Sequence, residues 1–88
     1  MIKIYSTNWW GSCIAAKKLL DDKGLSYEEI NIEEANISRE KLTQLTGGYT
    51  VPQIIINDEA IGGFDQLLIL NKEGKLNEQR WYNAKSNA

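Results

Sequence analysis

Apolar and polar residues alternate over residues 2–5, which is typical of a β-strand. After a short loop, the spacing over residues 11–23 becomes helical. Cys13, Ala16 and Leu20 recur at i, i+3 and i+7, so they share one face of the predicted helix. The pattern therefore predicts a strand and then a helix whose apolar face turns the thiol of Cys13 toward the core.

The next two segments repeat this order. Residues 25–32 alternate again and predict a second strand, so that a strand, a helix and a parallel strand form a right-handed unit. Asn36 or Ser38 is suited to cap a second helix, which runs to about Leu45. The Thr-Gly-Gly sequence at 46–48 ends it.

The second half of the chain predicts a hairpin and a helix. Three consecutive isoleucines at 54–56 indicate a strand buried on both faces, central in a sheet that helices cover on both sides. Asn57 and Asp58 predict a hairpin turn, and residues 59–61 return as an antiparallel strand. A glycine pair follows, and a third helix runs to about Lys72 with leucines available to the core.

The predicted order is βαβαββα, an α/β arrangement of three layers around a four-stranded mixed sheet, which is the thioredoxin-like fold. We expect residues 1–76 to form this one domain. Residues 77–88 are polar apart from two aromatic residues and predict a short extra helix or a frayed tail.

Composition narrows the possible functions. The chain has 88 residues, a formal net charge of −2, no histidine and one cysteine. Without a basic stripe, nucleic-acid binding has little support. No apolar run approaches the ~20 residues of a membrane span, so we expect a cytoplasmic protein with no membrane contact. One cysteine cannot form an internal disulfide, and without histidine no clustered Cys/His metal site is expected.

Three segments, in order and at the right spacing, resemble the glutaredoxin family. They are the strand end, loop and helix over residues 5–20, the segment Thr50-Val51-Pro52-Gln53-Ile54, and the segment Ile61-Gly62-Gly63-Phe64-Asp65. The stretch at 23–30 also matches the second strand of the family. The resemblance covers residues 1–76 and implies thiol–disulfide exchange linked to glutathione.

The resemblance also fixes the register of the redox loop. In the family the nucleophile is the first cysteine of a Cys-x-x-Cys or Cys-x-x-Ser motif, and an Ala-Lys pair lies six and seven positions later. Counting back from Ala16 and Lys17 places Trp10 at the nucleophile position and Cys13 at the second, resolving position. The motif is then an atypical Trp-Gly-Ser-Cys. We expect Trp10 to fill the groove where the sulfur would lie, and Trp9 to be an exposed aromatic residue of the loop.

Cys13 is the only candidate catalytic thiol, and it has two interpretations. On an apolar helix face it is a buried structural residue, which behaves as a small hydrophobe. Near a helix N-terminus it is a reactive group, because exposed backbone N–H groups there stabilise a thiolate.

The glutathione site that the resemblance implies comprises Thr50, Val51, Pro52, Gly63, Phe64 and Asp65. Pro52 is expected to follow a cis peptide bond, so that the backbone of Val51 pairs with a peptide-like thiol. The glycine pair and the helix start after it would receive the γ-glutamyl end. Asp65 either accepts the ammonium group of that end or only caps the helix.

Several positions depart from the family pattern. Thr7 and Tyr49 stand where relatives often carry Lys and Arg for the glycine carboxylate, and Gln66 stands where many carry a second acid. These differences predict weaker glutathione binding. Arg39 either contacts that carboxylate or is a charge on a solvated helix.

Two functions follow from these observations. The first is a glutathione-linked thiol–disulfide oxidoreductase that uses Cys13, with glutathione as co-substrate and protein thiols or disulfides as partners, acting as a monomer. The second is a catalytically inactive binding module that uses the same groove. A third interpretation is that Trp10 is itself a substitution.

Overall fold

A computed structural model describes residues 1–76, so the extra helix or tail predicted for 77–88 lies outside the described residues. The elements are β1 Ile2–Ser6, α1 Gly11–Asp22, β2 Glu28–Asn31, α2 Arg39–Thr46, β3 Gln53–Ile56, β4 Glu59–Gly62 and α3 Phe64–Lys72. The predicted βαβαββα order is confirmed.

The four strands form one mixed sheet in the order β2-β1-β3-β4. β1 runs parallel to β2, with Lys3 opposite Glu28, and antiparallel to β3, with Ile4 opposite Ile54. β3 pairs antiparallel with β4. The isoleucine strand is therefore central, as predicted, because only a strand with neighbours on both edges and helices on both faces hides consecutive apolar side chains.

Alternation along the strands divides the core between the two faces of the sheet. One cluster joins Ile2 and Ile4 of β1 to side chains of α1 and α3; its buried members are Ile2, Ile4, Ala16, Leu20, Ile54, Ile56, Leu67 and Leu76. The other cluster joins Tyr5 of β1 to α2; its buried members are Tyr5, Cys13, Ile32, Leu42 and Val51. Helices thus cover both faces, which gives the three layers of the thioredoxin-like fold.

Local signals set most element ends. The Ser38 hydroxyl accepts a hydrogen bond from the Lys41 N–H at 3.1 Å, so Ser38 rather than Asn36 caps α2. Asn57 and Asp58 have φ of 50° and 69°, the left-handed conformation that a tight two-residue hairpin requires. The hairpin prediction is confirmed.

The second strand is shorter than predicted. It begins at Glu28, because Leu25 and Tyr27 pack against the core instead of pairing with β1. Across the described chain, 1–76, each helix is too short or too polar to cross a bilayer.

Candidate functional site

Cys13 is fully buried in the first turn of α1. Its Sγ accepts a hydrogen bond from the Thr7 backbone N–H at 3.5 Å, and the Thr7 hydroxyl lies 4.0 Å away. The side chain packs in the cluster of Tyr5, Leu42 and Val51. The predicted inward orientation is confirmed, and in this conformation the sulfur has no exposed surface for an incoming disulfide.

Trp10 forms the N-cap of α1 through its backbone. Its carbonyl oxygen accepts hydrogen bonds from the N–H groups of Cys13 and Ile14, at 3.0 and 3.1 Å. Its indole ring is 48% exposed and packs edge-to-face on Trp9, with ring centroids 6.0 Å apart. Trp9 is exposed, as predicted, and its Nε1 donates to Glu33 Oε1 at 3.0 Å.

The ring of Trp10 does not fill the groove, contrary to expectation. The groove is lined by other residues, and Trp10 pairs instead with Trp9, because an edge-to-face pair covers part of both rings. Of the Trp-Gly-Ser-Cys motif, Ser12 lines the groove.

The groove has a volume of about 490 Å³ and is built from segments distant in sequence. Its lining comprises Ser12, Thr46–Gly48, Thr50–Gln53 and Ala60–Gln66. All six residues that the sequence assigned to a glutathione site lie in this lining. The fold therefore places the Val51-Pro52 segment and the glycine-pair segment on one surface, although neither segment is next to the other in sequence.

The centre of the groove is the junction between the start of β3 and the start of α3. The Val51-Pro52 peptide bond is cis, as predicted. A Cβ atom added to Gly63 would lie 3.4 Å from the carbonyl oxygen of Pro52, which is van der Waals contact. The two backbones therefore lie side by side here, with space for an ordinary side-chain contact between them.

The start of α3 corrects one assignment. Gly63, not Asp65, is the N-cap, and Asp65 is the exposed second residue of the helix. The Gly63 N–H is satisfied by Gln66, whose Oε1 accepts its hydrogen bond at 3.0 Å. Gly62 has φ of +117°, so the chain turns there and enters the helix at Gly63. Asp65 lies two residues after this N-cap, inside the helix, and so cannot cap it.

The opposite end of the groove is held by internal hydrogen bonds. Gln53 Nε2 donates to Thr50 Oγ1 at 3.3 Å, and the Thr46 hydroxyl bonds both the carbonyl oxygen and the N–H of Gly48. Arg39 Nη1 donates to the carbonyl oxygen of Tyr49 at 2.9 Å, so this guanidinium holds the loop before β3.

Sequence reasoning missed several groove residues. Thr46 carries no local signal, since only packing brings it to the groove. Gln53 and Ser12 lie in segments that carry the family resemblance but were not assigned to the site. Gln66 had a readable signal, because a Gln three residues after an N-cap is the second half of a capping box. Thr7 is fully buried beside the thiol and so does not reach a ligand. Among the lining residues, all of which fall within 1–76, Asp65 is the single charged side chain.

Comparison with known proteins identifies the relatives of this chain. A model of the Glutaredoxin family matches residues 2–61. The chain is 41% identical over 75 residues to a glutaredoxin of Pseudomonas aeruginosa, covering 85% of this chain and 89% of that protein. It is 39% identical over 75 residues to glutaredoxin 3 of Escherichia coli K12, covering 85% and 90%.

Solved structures agree with the sequence relatives. The crystal structure of a buckwheat glutaredoxin–glutathione complex superposes with a TM-score of 0.77 at 32% identity, over 85% of this chain and 71% of that one. The solution structure of a Brucella melitensis glutaredoxin gives 0.72 at 36% identity, over 85% and 82%. This chain therefore belongs to the glutaredoxin family, whose members are thiol–disulfide oxidoreductases that use glutathione.

Proposed function

We propose that this glutaredoxin-like protein binds glutathione in the groove, either free or joined by a disulfide to a protein thiol. One observation carries the proposal: the cis Val51-Pro52 segment and the start of α3 meet in one groove of about 490 Å³. That volume lies within the ~300–1,000 Å³ of ordinary small-molecule sites. The buckwheat relative of similar fold is itself a glutathione complex.

Two of the three residues of glutathione, the cysteinyl and the γ-glutamyl residue, have a matching group in this groove. The cysteinyl residue would pair with the backbone of Val51 as a short β-type contact. The α-carboxylate of the γ-glutamyl end would lie at the N-terminus of α3, where backbone N–H groups and the helix dipole favour negative charge. Asp65, exposed on the first turn, would accept the ammonium group.

Binding in this arrangement does not need the thiol of Cys13. The sulfur is fully buried, whereas exchange requires a thiolate that reaches the disulfide it attacks. We therefore infer that the protein is a glutathione-binding module in which Cys13 is a structural residue, and that Trp10 occupies the position of the family nucleophile.

A second candidate function is glutathione-linked disulfide exchange through Cys13. Cys13 favours it as the single thiol of the chain, placed in the first turn of α1 directly after the Trp-Gly-Ser part of the motif. The Cys13 thiolate would attack the glutathione sulfur of a mixed disulfide and release the protein thiolate. A second glutathione thiolate would then attack the new Cys13–glutathione disulfide, releasing glutathione disulfide and restoring the Cys13 thiolate.

We further propose that the protein acts as a monomer in the cytoplasm, with glutathione or protein thiols and disulfides as partners. The single unpaired cysteine fits a compartment in which glutathione keeps thiols reduced.

Titration of the ¹⁵N-labelled protein with glutathione tests the proposal. We expect amide shifts that saturate at Val51 and Gly63, with the same dissociation constant in Cys13→Ser. The absence of shifts at these residues would contradict groove binding.

A glutathione-dependent assay on a small mixed disulfide separates the two candidates. Equal rates in the wild type and Cys13→Ser support the binding module. A rate that disappears in Cys13→Ser, while the shifts persist, supports exchange and contradicts a structural role for the thiol.

A further inference from the structure

We propose that Trp9, Trp10 and Glu33 form a binding site, outside the groove, for an arginine side chain of a partner protein. We call these three residues the aromatic corner. The indole faces would receive the guanidinium group, and the carboxylate would balance its charge. This inference goes beyond the proposed function and does not depend on glutathione binding.

The two indole rings of the aromatic corner stand nearly at right angles. Their planes enclose an angle of 79°, and their centroids are 6.0 Å apart. The edge of one ring therefore meets the face of the other, and the ring faces beside this contact form two walls. Trp9 is 62% exposed and Trp10 48% exposed, so a ligand from solvent can reach these walls.

Contacts within the protein hold both tryptophans in place. Trp9 Nε1 donates to Glu33 Oε1 at 3.0 Å, a hydrogen bond between residues 24 positions apart in sequence. Trp10 is fixed through its backbone, because its carbonyl oxygen accepts from the N–H groups of Cys13 and Ile14 at the start of α1. A site whose groups are already ordered loses less conformational entropy when a ligand binds.

Glu33 supplies the negative charge of the aromatic corner. Its carboxylate forms no ion pair with a cation of residues 1–76, and the hydrogen bond that it accepts from this part of the chain comes from an uncharged indole. The corner thus combines two aromatic faces with an unneutralised carboxylate at the edge of one ring. This combination is complementary to a cation, because the face of an aromatic ring carries negative electrostatic potential.

A guanidinium group suits this arrangement better than an ammonium group. It is planar and weakly hydrated, so it stacks on an indole face while its N–H groups still donate to a carboxylate. The ammonium of lysine is compact and strongly hydrated, and it gains less from stacking.

The position of the corner favours a partner protein as the source of the arginine. Trp10 lies two positions before Ser12, which lines the groove, so a protein segment that lies over the groove can reach both indoles. Tryptophan and arginine are both enriched among the residues that dominate the binding energy of protein–protein interfaces.

Titration of the ¹⁵N-labelled protein with a short arginine peptide, acetyl-Gly-Arg-Gly-amide, tests the inference. We expect the indole N–H signals of Trp9 and Trp10 to shift and to saturate together. The same peptide with citrulline keeps the shape of the side chain but not its charge. This peptide, and the corresponding lysine peptide, should bind at least about threefold more weakly.

Two variants remove one part of the aromatic corner each. Trp10→Leu removes an aromatic wall but keeps the backbone carbonyl that begins α1, and Glu33→Gln removes the charge. Each should weaken binding of the arginine peptide about fivefold. Glu34→Gln is the matched control, because it removes the same charge from the neighbouring residue. It should change the affinity less than about twofold.

Several results would overturn the inference. Equal binding of the arginine and citrulline peptides would do so, and so would the absence of shifts at both indoles. This comparison needs no variant, so it decides even if Trp10→Leu does not fold. Equal losses in Glu33→Gln and Glu34→Gln would mean that only net charge matters, and tighter binding of the lysine peptide would refute a guanidinium site. If Arg80→Gln shifted both indole signals without any peptide, the occupant would belong to this chain and not to a partner.

Discussion

The burial of Cys13 predicts slow alkylation of the only thiol in the protein. For a reagent to reach Sγ, the first turn of α1 must open. This breaks the hydrogen bonds from the N–H groups of Cys13 and Ile14 to the Trp10 carbonyl, and the one from the Thr7 N–H to the sulfur. Each contributes about 1 kcal/mol net, so opening costs about 3 kcal/mol. At about 1.4 kcal/mol per factor of ten, the thiol should react about 10²-fold more slowly than an exposed one.

The assay is reaction with a maleimide, followed by mass spectrometry, in native buffer and in denaturant. Ser12→Cys combined with Cys13→Ser is a matched control, because Ser12 is the neighbouring residue that lines the groove. That control thiol should react at nearly the same rate in both solutions. If the native wild-type protein reacts within about threefold of the denatured chain, the estimate from these hydrogen bonds is wrong. The thiol would then be available for exchange.

Three further predictions concern stability. Leu67→Ala should lower the unfolding free energy by about 2–5 kcal/mol in urea titrations, because it leaves a cavity at a fully buried side chain between α3 and the sheet; a loss below about 1 kcal/mol would contradict the packing. Gly47→Ala should lower the unfolding free energy by about 1–2 kcal/mol, because Gly47 has φ of +87°. In the control Gly11→Ala an added Cβ meets open space, so the thermal midpoint should stay nearly unchanged. Equal effects of the two substitutions would refute the conformational argument. Burial, and after it the Asp21 carboxylate, raises the pKa of Tyr27. As the pH rises, this tyrosine therefore ionises in the unfolded chain before it ionises in the folded protein, and the unfolding free energy decreases above about pH 10. Tyr27→Phe should reduce that alkaline loss in urea titrations at about pH 8 and about pH 11, and an unchanged loss would assign it to other groups.

The candidate site was predictable only where the chain carries a local signal or resembles a known family. The residues around Pro52 and Gly63 were found in this way, and the cis bond is present. Of the two roles left open for Asp65, capping of α3 is wrong, because Gly63 is the N-cap. The hydrogen bond from the Gly63 N–H to the Gln66 side chain accompanies the start of α3 at Gly63, and this contact depends on how the chain turns out of β4.

The sequence by itself determined the order of the elements and the inward orientation of Cys13. Both follow from periods of two and 3.6 residues and from turn residues such as Asn57 and Asp58, which act within a few positions of chain. Only the tertiary structure decided that Val51 and Gly63 share one groove and that the indole of Trp10 lies outside it. The physical reason is that these relations depend on strand pairing and on packing between distant segments, which no local pattern encodes.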